Sequence, residues 1–258
     1  MDSPMHGPVE IEQHGAVLVI AINRPQQRNA VTHAVSLAIA GALDRLDADL
    51  ELRVGVITGR GSSFCAGMDL KAFADGERPE LEGRGFAGIT EAPPKKPVIA
   101  AVEGFALAGG CELALACDLI VAAETAWFGL PEVARGLVAG SGGLVRLPRR
   151  IPETIALEYA LTGARMDAAT AHRWGLVNRI TPEGGALEGA LALAEAITAN
   201  APLSTAMTKR IIRESREWPE AEIWDRQRPL VDSVLASDDA NEGARAFAEK
   251  RPAQWTGR

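Results

Sequence analysis

Two glutamates stand where a carboxylate could do acid–base work. Glu112 lies in Gly104-Phe-Ala-Leu-Ala-Gly109-Gly110-Cys-Glu112-Leu-Ala-Leu-Ala-Cys117-Asp118, in the first turn of a helix that begins near Gly110. Free backbone N–H groups and the positive end of the helix dipole point out of such a start, and glycine lets a ligand approach the backbone closely. The five residues after Glu112 are apolar, so the helix is expected to be buried on most sides, and a carboxylate there needs a partner, a pocket or a job. A solvent-facing glutamate that only satisfies the helix N-terminus is the alternative at this point. Glu132 follows Pro131 in Trp127-Phe-Gly129-Leu-Pro131-Glu132, a turn into a short helix, ahead of Gly140-Ser-Gly-Gly143. Taken alone it reads as an acidic residue at a helix start. Two carboxylates beside two glycine-rich turns point together to general acid–base chemistry, one held protonated while the other acts as base.

A third stretch, Ser62-Ser-Phe-Cys65-Ala-Gly67-Met68-Asp69-Leu70-Lys71, follows a strand and by itself reads equally as a surface loop. Ser141 only half-matches a nucleophile elbow, because no apolar strand leads into it. His172 reads as a structural histidine beside Trp174, so a serine-hydrolase triad is not supported.

The elements that would carry these stretches alternate. Strands are expected at Val17–Ile22, Val54–Thr58, Pro97–Val102 and Asp118–Ala123, apolar enough to be buried on both faces. Helices are expected at Val31–Asp47 with Thr32 as cap, Pro152–Leu161, Asp167–Trp174 with Gly175 at its end, and Leu187–Asn200. From Pro202 onward only helical periodicity and a tail remain, which places a soft boundary near residue 200 between a 1–200 core and a 201–258 helical region. The charged, glycine-containing segment Ala74–Thr90 reads as a mobile surface segment.

At 258 residues, 47% apolar and 24% charged, the chain is long enough for one large domain and ordinary for a globular protein. A net charge of −7 argues against a nucleic-acid binder. The sequence contains no apolar run of about 18 residues that would cross a membrane, and Met1–His14 lacks the look of a signal peptide, so a cytosolic location is expected. Cys65, Cys111 and Cys117 are expected to be reduced and mostly buried, and neither they nor the four histidines show metal-ligand spacing.

Together the three stretches resemble the crotonase (enoyl-CoA hydratase/isomerase) family. Ser63-Phe-Cys-Ala-Gly-Met-Asp-Leu70 is similar to its Phe-x-Ala-Gly-x-Asp-Leu loop, Gly104–Asp118 to its Gly-x-x-x-Gly-Gly-x-Glu-Leu-Ala-x-x-Cys-Asp segment, and Phe128-Gly-Leu-Pro-Glu132, with the glycines at 140–143 and Arg146-Leu147-Pro148, to its Phe-x-x-Pro-Glu segment. The resemblance covers nearly the whole chain. It implies an α/β fold, a spiral of repeated ββα units, with a C-terminal α-helical part that mediates a homotrimer or a dimer of trimers. It implies that the amides of Met68 and Gly109 form an oxyanion hole for the thioester carbonyl, each donor worth about 3 kcal/mol. Glu112 and Glu132 would hold a water for syn addition across the α,β double bond, with the Gly140 amide helping to hold it. Arg28, Ala30, Ala66, Met68, Asp69, Leu70 and Lys71 match CoA-contacting positions, as do Phe247 and Lys250, sometimes from a neighbouring subunit. Coenzyme A would arrive as part of the substrate, with no other cofactor and no metal.

The departures are Met68 where alanine is common, Ala108 in place of a frequent glycine, and Leu144-Val145 in place of a frequent Thr-Gln. The stretches Val138–Ser141 and Arg173–Asn178 also resemble carnitinyl-CoA dehydratase-like members. The leading expectation is therefore an enoyl-CoA hydratase acting on a trans-2-enoyl-CoA to give a 3-hydroxyacyl-CoA, as in fatty acid β-oxidation. Alternatives are a Δ3,Δ2-enoyl-CoA isomerase, a carnitinyl-CoA dehydratase-like enzyme, a hydrolase or decarboxylase on the same fold, and a non-catalytic CoA-ester-binding protein.

Overall fold

The computed structural model describes residues 7–258. Strand β1 (Val9–His14) turns at Gly15 into β2 (Val17–Ile22), its antiparallel partner. After helix α1 (His33–Ala48), strand β3 (Val54–Gly59) joins β2 in parallel. A long loop then carries the short helix α2 (Leu70–Ala74) and a minimal hairpin, β4 (Glu80–Leu81) with β5 (Gly85–Phe86). Strand β6 (Val98–Val102), strand β7 (Phe105–Leu107) and helix α3 (Gly109–Ala116) follow, then β8 (Leu119–Ala123) and β9 (Trp127–Gly129). Beyond these lie α4 (Gly143–Arg146), α5 (Glu153–Thr162), β10 (Met166–Asp167), α6 (Ala168–Arg173), β11 (Arg179–Thr181) and α7 (Ala186–Thr198). Three helices close the chain, α8 (Pro202–Glu214), α9 (Ile223–Leu235) and α10 (Asp238–Glu249).

The strands form a six-stranded sheet in the order β1-β2-β3-β6-β8-β11 and a second sheet in the order β10-β9-β7. The strand β6 enters the first sheet, β7 enters the second, and α3 leads back to β8 in the first and β9 in the second. That is the expected spiral of ββα units. The strands β2, β3 and β6 are buried along their whole length, as strands covered on both faces must be. One face packs on α1 and α3. The other packs on α7, whose Ala186, Ala190 and Ala194 recur every four residues and bring the helix close to Val19, Val56, Ile99 and Val121.

Expected and observed elements agree within two residues. Thr32 caps α1 by accepting from the Val35 N–H at 3.4 Å, and Asp167 caps α6 through the Thr170 N–H at 2.7 Å. All three cysteines are free and buried. The strand β1 escaped the sequence reading because Val-Glu-Ile-Glu-Gln-His is exposed along most of an edge strand and carries little apolar signal. A correction concerns Ala74–Thr90. Residues 85–90 are buried, not a mobile surface segment, since left-handed Gly85, Ala87 and Gly88 turn the chain inward and seat Phe86 and Ile89 in the core. Helix α1 also grips this region, with Ser36 Oγ donating to Pro79 O at 2.5 Å.

Helix α8 is tied to the sheet by charge. Asp118 accepts from Lys209 Nζ at 2.7 Å and from Arg213 Nη2 at 2.6 Å and Nε at 2.9 Å, and a further bond, from the Val98 N–H at 2.8 Å, pins β6. Arg150 donates to the carbonyls of Leu115 and Cys117, and Arg213 to that of Ala116, so the last carbonyls of α3 are met by two guanidinium groups.

Asn29 organises the turn before α1. It is fully buried in left-handed backbone, accepts from the Arg24 N–H at 2.9 Å, and donates to Arg60 O at 2.9 Å and Ser63 O at 2.7 Å. Asn29→Ala strands these groups and removes the side chain best suited to positive φ. It is expected to cost about 3 kcal/mol, read as a lower urea midpoint at unchanged slope.

Candidate active site

The loop after β3 and the start of α3 are built against each other. Phe64 N–H donates to Glu103 O, Cys65 N–H to Phe105 O and Leu107 N–H to Cys65 O, so residues 64–65 run as an extra strand beside β7. On its other side the loop pairs with Val31, whose N–H donates to Gly67 O at 2.8 Å and whose carbonyl accepts from the Asp69 N–H at 3.0 Å. Gly67 is left-handed, and a Cβ on it would sit 3.0 Å from the Gly109 nitrogen. This contact brings the Met68 and Gly109 amides into one neighbourhood. Among the described residues no acceptor takes either N–H. Behind Gly109 lies the Phe86 ring, 2.6 Å from where a Cβ would be, so only glycine fits. Ala108 holds φ +49° and ψ −126°, a conformation that L residues avoid and that costs about 1–3 kcal/mol. Its N–H donates to Gly129 O at 2.9 Å, which fixes where α3 begins.

Glu112 is 3% exposed, so it is not the solvent-facing glutamate left open by the sequence. Its Oε1 accepts from the Ser141 N–H at 2.7 Å and the Gly143 N–H at 2.9 Å, while Oε2 takes no donor from the described residues. A Cβ on Gly143 would fall 2.9 Å from Glu112 Cγ, so this close approach requires glycine. Burial holds the Glu112 pKa above the usual glutamate value; the two amides and the Arg146 charge offset part of that rise, and the Glu132 charge adds to it. Glu132 is half-buried on the turn after β9. Its Oε2 is buried with no donor, and burial raises its pKa as well.

Glu132 lines an apolar cavity of about 390 Å³ together with Leu130, Val138, Ala139, Leu144 and Leu157. Leu130 also approaches Gly143, which backs Glu112. The Leu144 that departs from the family pattern is thus a wall of this cavity. A larger cavity of about 620 Å³ lies under the far end of α3, beside Arg149, Arg150 and Arg213, and neither glutamate lines it.

The structure gathers most of the other expected residues. Ala66 N–H donates to Arg28 O at 3.0 Å, and Arg24 links Ala30 O with Asp69, whose carboxylate it meets at 2.9 Å. Asp69 caps α2 through the Lys71 and Ala72 N–H groups, and Arg24 with these bonds holds its carboxyl below the usual range despite burial. Arg28, Leu70 and Lys71 present exposed side chains around that turn. Gly140 is exposed and adjoins the strap that holds Glu112, but the amides on the carboxylate belong to Ser141 and Gly143.

Among the described residues no hydrogen bond or ion pair joins the residues of this site to Phe247 or Lys250. Their helix α10 is tied through Asp239 to Thr256 and Gly257, and Arg53, just before β3, donates to Trp255 O, whereas the site loop leaves the other end of β3. Phe247 is 87% exposed. The sequence reading missed the Ser141 and Gly143 amides and Phe86. A Phe between two glycines in an otherwise charged stretch was the available signal for Phe86. Among the described residues no three His, Cys, Asp or Glu side chains gather where they could hold a metal ion, and no helix is long and apolar enough to cross a membrane.

A carboxyl whose folded pKa is raised weakens the fold above that pKa and stops doing so as pH falls below its unfolded value. Glu132→Gln is therefore expected to melt at or above the wild-type temperature at pH 8. The difference should shrink as pH falls toward 4.5, the ordinary glutamate value. A variant that melts lower at pH 8 and recovers nothing in acid would contradict this.

The family model for enoyl-CoA hydratase/isomerase matches residues 12–258. An enoyl-CoA hydratase structure from Mycobacterium marinum is 59% identical with a TM-score of 0.97, over 98% of this chain and 100% of that one. A carnitinyl-CoA hydratase structure from Mycobacterium avium is 47% identical with a TM-score of 0.79, again over 98% and 100%. A carnitinyl-CoA dehydratase from Salmonella typhi is 45% identical over 98% of this chain and 100% of its own length.

Proposed function

The chain belongs to the enoyl-CoA hydratase/isomerase family, and we propose that it is a hydro-lyase adding water reversibly and syn to a trans-2-enoyl-CoA, with Glu112 and Glu132 as its acid–base pair. The observation that carries this reading is a pair of carboxyl oxygens without donors, Oε2 of Glu112 in the first turn of the helix that begins at the unclaimed Gly109 amide, and Oε2 of Glu132 in the wall of an apolar cavity. In the reaction the water oxygen bonds to the β-carbon and gives its proton to Glu112, while Glu132 gives a proton to the α-carbon. The thioester oxygen gains charge between these events, and the amides of Met68 and Gly109 are proposed to stabilise it. The two amides on one oxygen of Glu112 offset part of what burial costs its ionised form, the form a base requires. The apolar setting of Glu132 favours a carboxyl that keeps its proton, as an acid requires.

In this reading the CoA moiety lies along Arg28, Ala30, Ala66 and Asp69–Lys71, and Gly140 lies beside the water. No separate cofactor takes part. Phe247 and Lys250 are assigned to the CoA of a neighbouring subunit, in a homotrimer or dimer of trimers assembled through the 201–258 helices. Support comes from α8 and α9, which bury none of their own residues, and from the exposed Ile212, Trp224 and Leu235. The three buried free thiols are in keeping with a cytosolic setting.

The relatives named for carnitinyl-CoA favour a second reading of the acyl group, with the same water chemistry on a different tail. The test is loss of the enoyl-thioester absorbance on mixing with crotonyl-CoA, a long-chain enoyl-CoA or crotonobetainyl-CoA. We expect rapid loss with at least one, reduced about 10²- to 10⁴-fold in Glu112→Gln and in Glu132→Gln, with CoA-ester binding retained. Unchanged turnover in both variants would remove the acid–base assignment. No turnover of any of the three substrates would return the choice to isomerase, hydrolase or silent binder.

A further inference from the structure

Arg146 ends α4, four residues after the strap that holds Glu112 begins to turn. Its Nη1 donates to Ser141 O at 3.1 Å and its Nη2 donates to Thr90 O. Ser141 is the residue whose N–H bonds Glu112, so one peptide unit separates the guanidinium from the amide on the carboxylate. Thr90 closes the buried segment 85–90, whose Phe86 ring backs Gly109. A single guanidinium therefore ties the strap behind Glu112 to the segment behind the Gly109 amide. The local backbone is shaped around it. Gly142 is left-handed at φ +95°, and a Cβ there would collide with Arg146 Nη1.

Placing a cation here is costly. Arg146 is half-buried, burial lowers its pKa, and Arg213 and Arg149 repel it. No carboxylate forms an ion pair with it among the described residues. Its compensation is two carbonyls and the attraction of the Glu112 charge.

We propose that Arg146 is the positioning residue of this site: by bridging the Ser141 and Thr90 carbonyls it sets where the Glu112 carboxylate stands relative to the Gly109 amide, without touching substrate. The inference rests on the reading of Glu112 as the base. The charged groups facing Glu112 are Glu132 from the turn after β9 and Arg146 from α4, with the Ser141 and Gly143 amides beside them, while Arg150 acts on the neighbouring Cys111.

Two variants separate geometry from charge. Arg146→Lys keeps a cation but cannot serve both carbonyls, and Arg146→Gln removes the cation as well. With the best enoyl-CoA substrate, both are expected to lower kcat about tenfold to a hundredfold with KM changed less than about threefold. In Arg146→Gln the acid limb of kcat/KM moves to higher pH, while in Arg146→Lys it stays near the wild-type position. A purely structural arginine would lower the melting temperature of both variants and leave kcat per folded enzyme and the acid limb where they were, which would overturn the proposal. A rise in KM at constant kcat would overturn it too. If Arg146→Gln does not fold, the kcat loss in Arg146→Lys decides. If the wild-type chain turns over none of the substrates, the hydratase reading fails by itself. The carboxyl carbon resonance of Glu112, assigned by its loss in Glu112→Gln, still tests the positioning. Its titration should shift upward in Arg146→Gln, and an unmoved titration would refute the role.

Discussion

A carboxylate inside an apolar helix is the constraint on which the rest of the structure depends. Glu112 sits among Cys111, Leu113, Ala114 and Leu115, all buried, and two amides aimed at one of its oxygens offset part of the cost of a charge there. Those amides require a strap with glycines at 142 and 143, one to take positive φ and one to let the carboxylate side chain pass. The strap in turn requires something to hold its carbonyl side, and that something reaches back to Thr90 and the segment under Gly109. Charge placement at a single atom thus dictates backbone conformation across three separate stretches of chain.

The spiral serves the same end. Because the chain returns to the sheet after each ββα unit, the turn before α1, the loop after β3, the start of α3 and the turn after β9 all arrive at neighbouring strand ends. The 64–69 loop is clasped on both sides, by Val31 and by β7, so its amides are oriented by backbone pairing and not by side chains. This explains how Met68 can stand at a position where the family commonly has alanine: an N–H direction set by flanking ladders is indifferent to the side chain it carries.

The core strands and most helices were legible in the sequence because continuous apolar runs and caps such as Thr32 and Asp167 act locally. Glu112, Glu132 and the turn around Arg28 and Asp69 were legible as a pattern of types, glutamates and glycines at fixed spacing, and their proposed roles rest on that pattern. What could not be read was whatever depends on two distant segments meeting. The Ser141 and Gly143 amides carry no side-chain signature at all, Phe86 looked like part of a charged loop, and β1 is an exposed edge strand whose partner, not its composition, makes it a strand. Phe247 and Lys250 show the converse. A match of residue type singled them out, while within one chain Phe247 stands 87% exposed on α10 with no bond to the loop after β3.

The two guanidinium groups at the end of α3 have an electrical consequence. A helix of eight residues is about 12 Å long, and its aligned peptide groups act as a dipole with opposite ends at Gly109 and Cys117. Arg150 and Arg213 meet the carbonyls at the negative end, beside Asp118, and the positive end opens at the unclaimed Gly109 amide. Arg213 belongs to α8, in the part of the chain furthest in sequence from the reacting groups. The electrical surroundings of α3 are therefore a shared property of the spiral and of α8, which is held to it by charge as well as by packing.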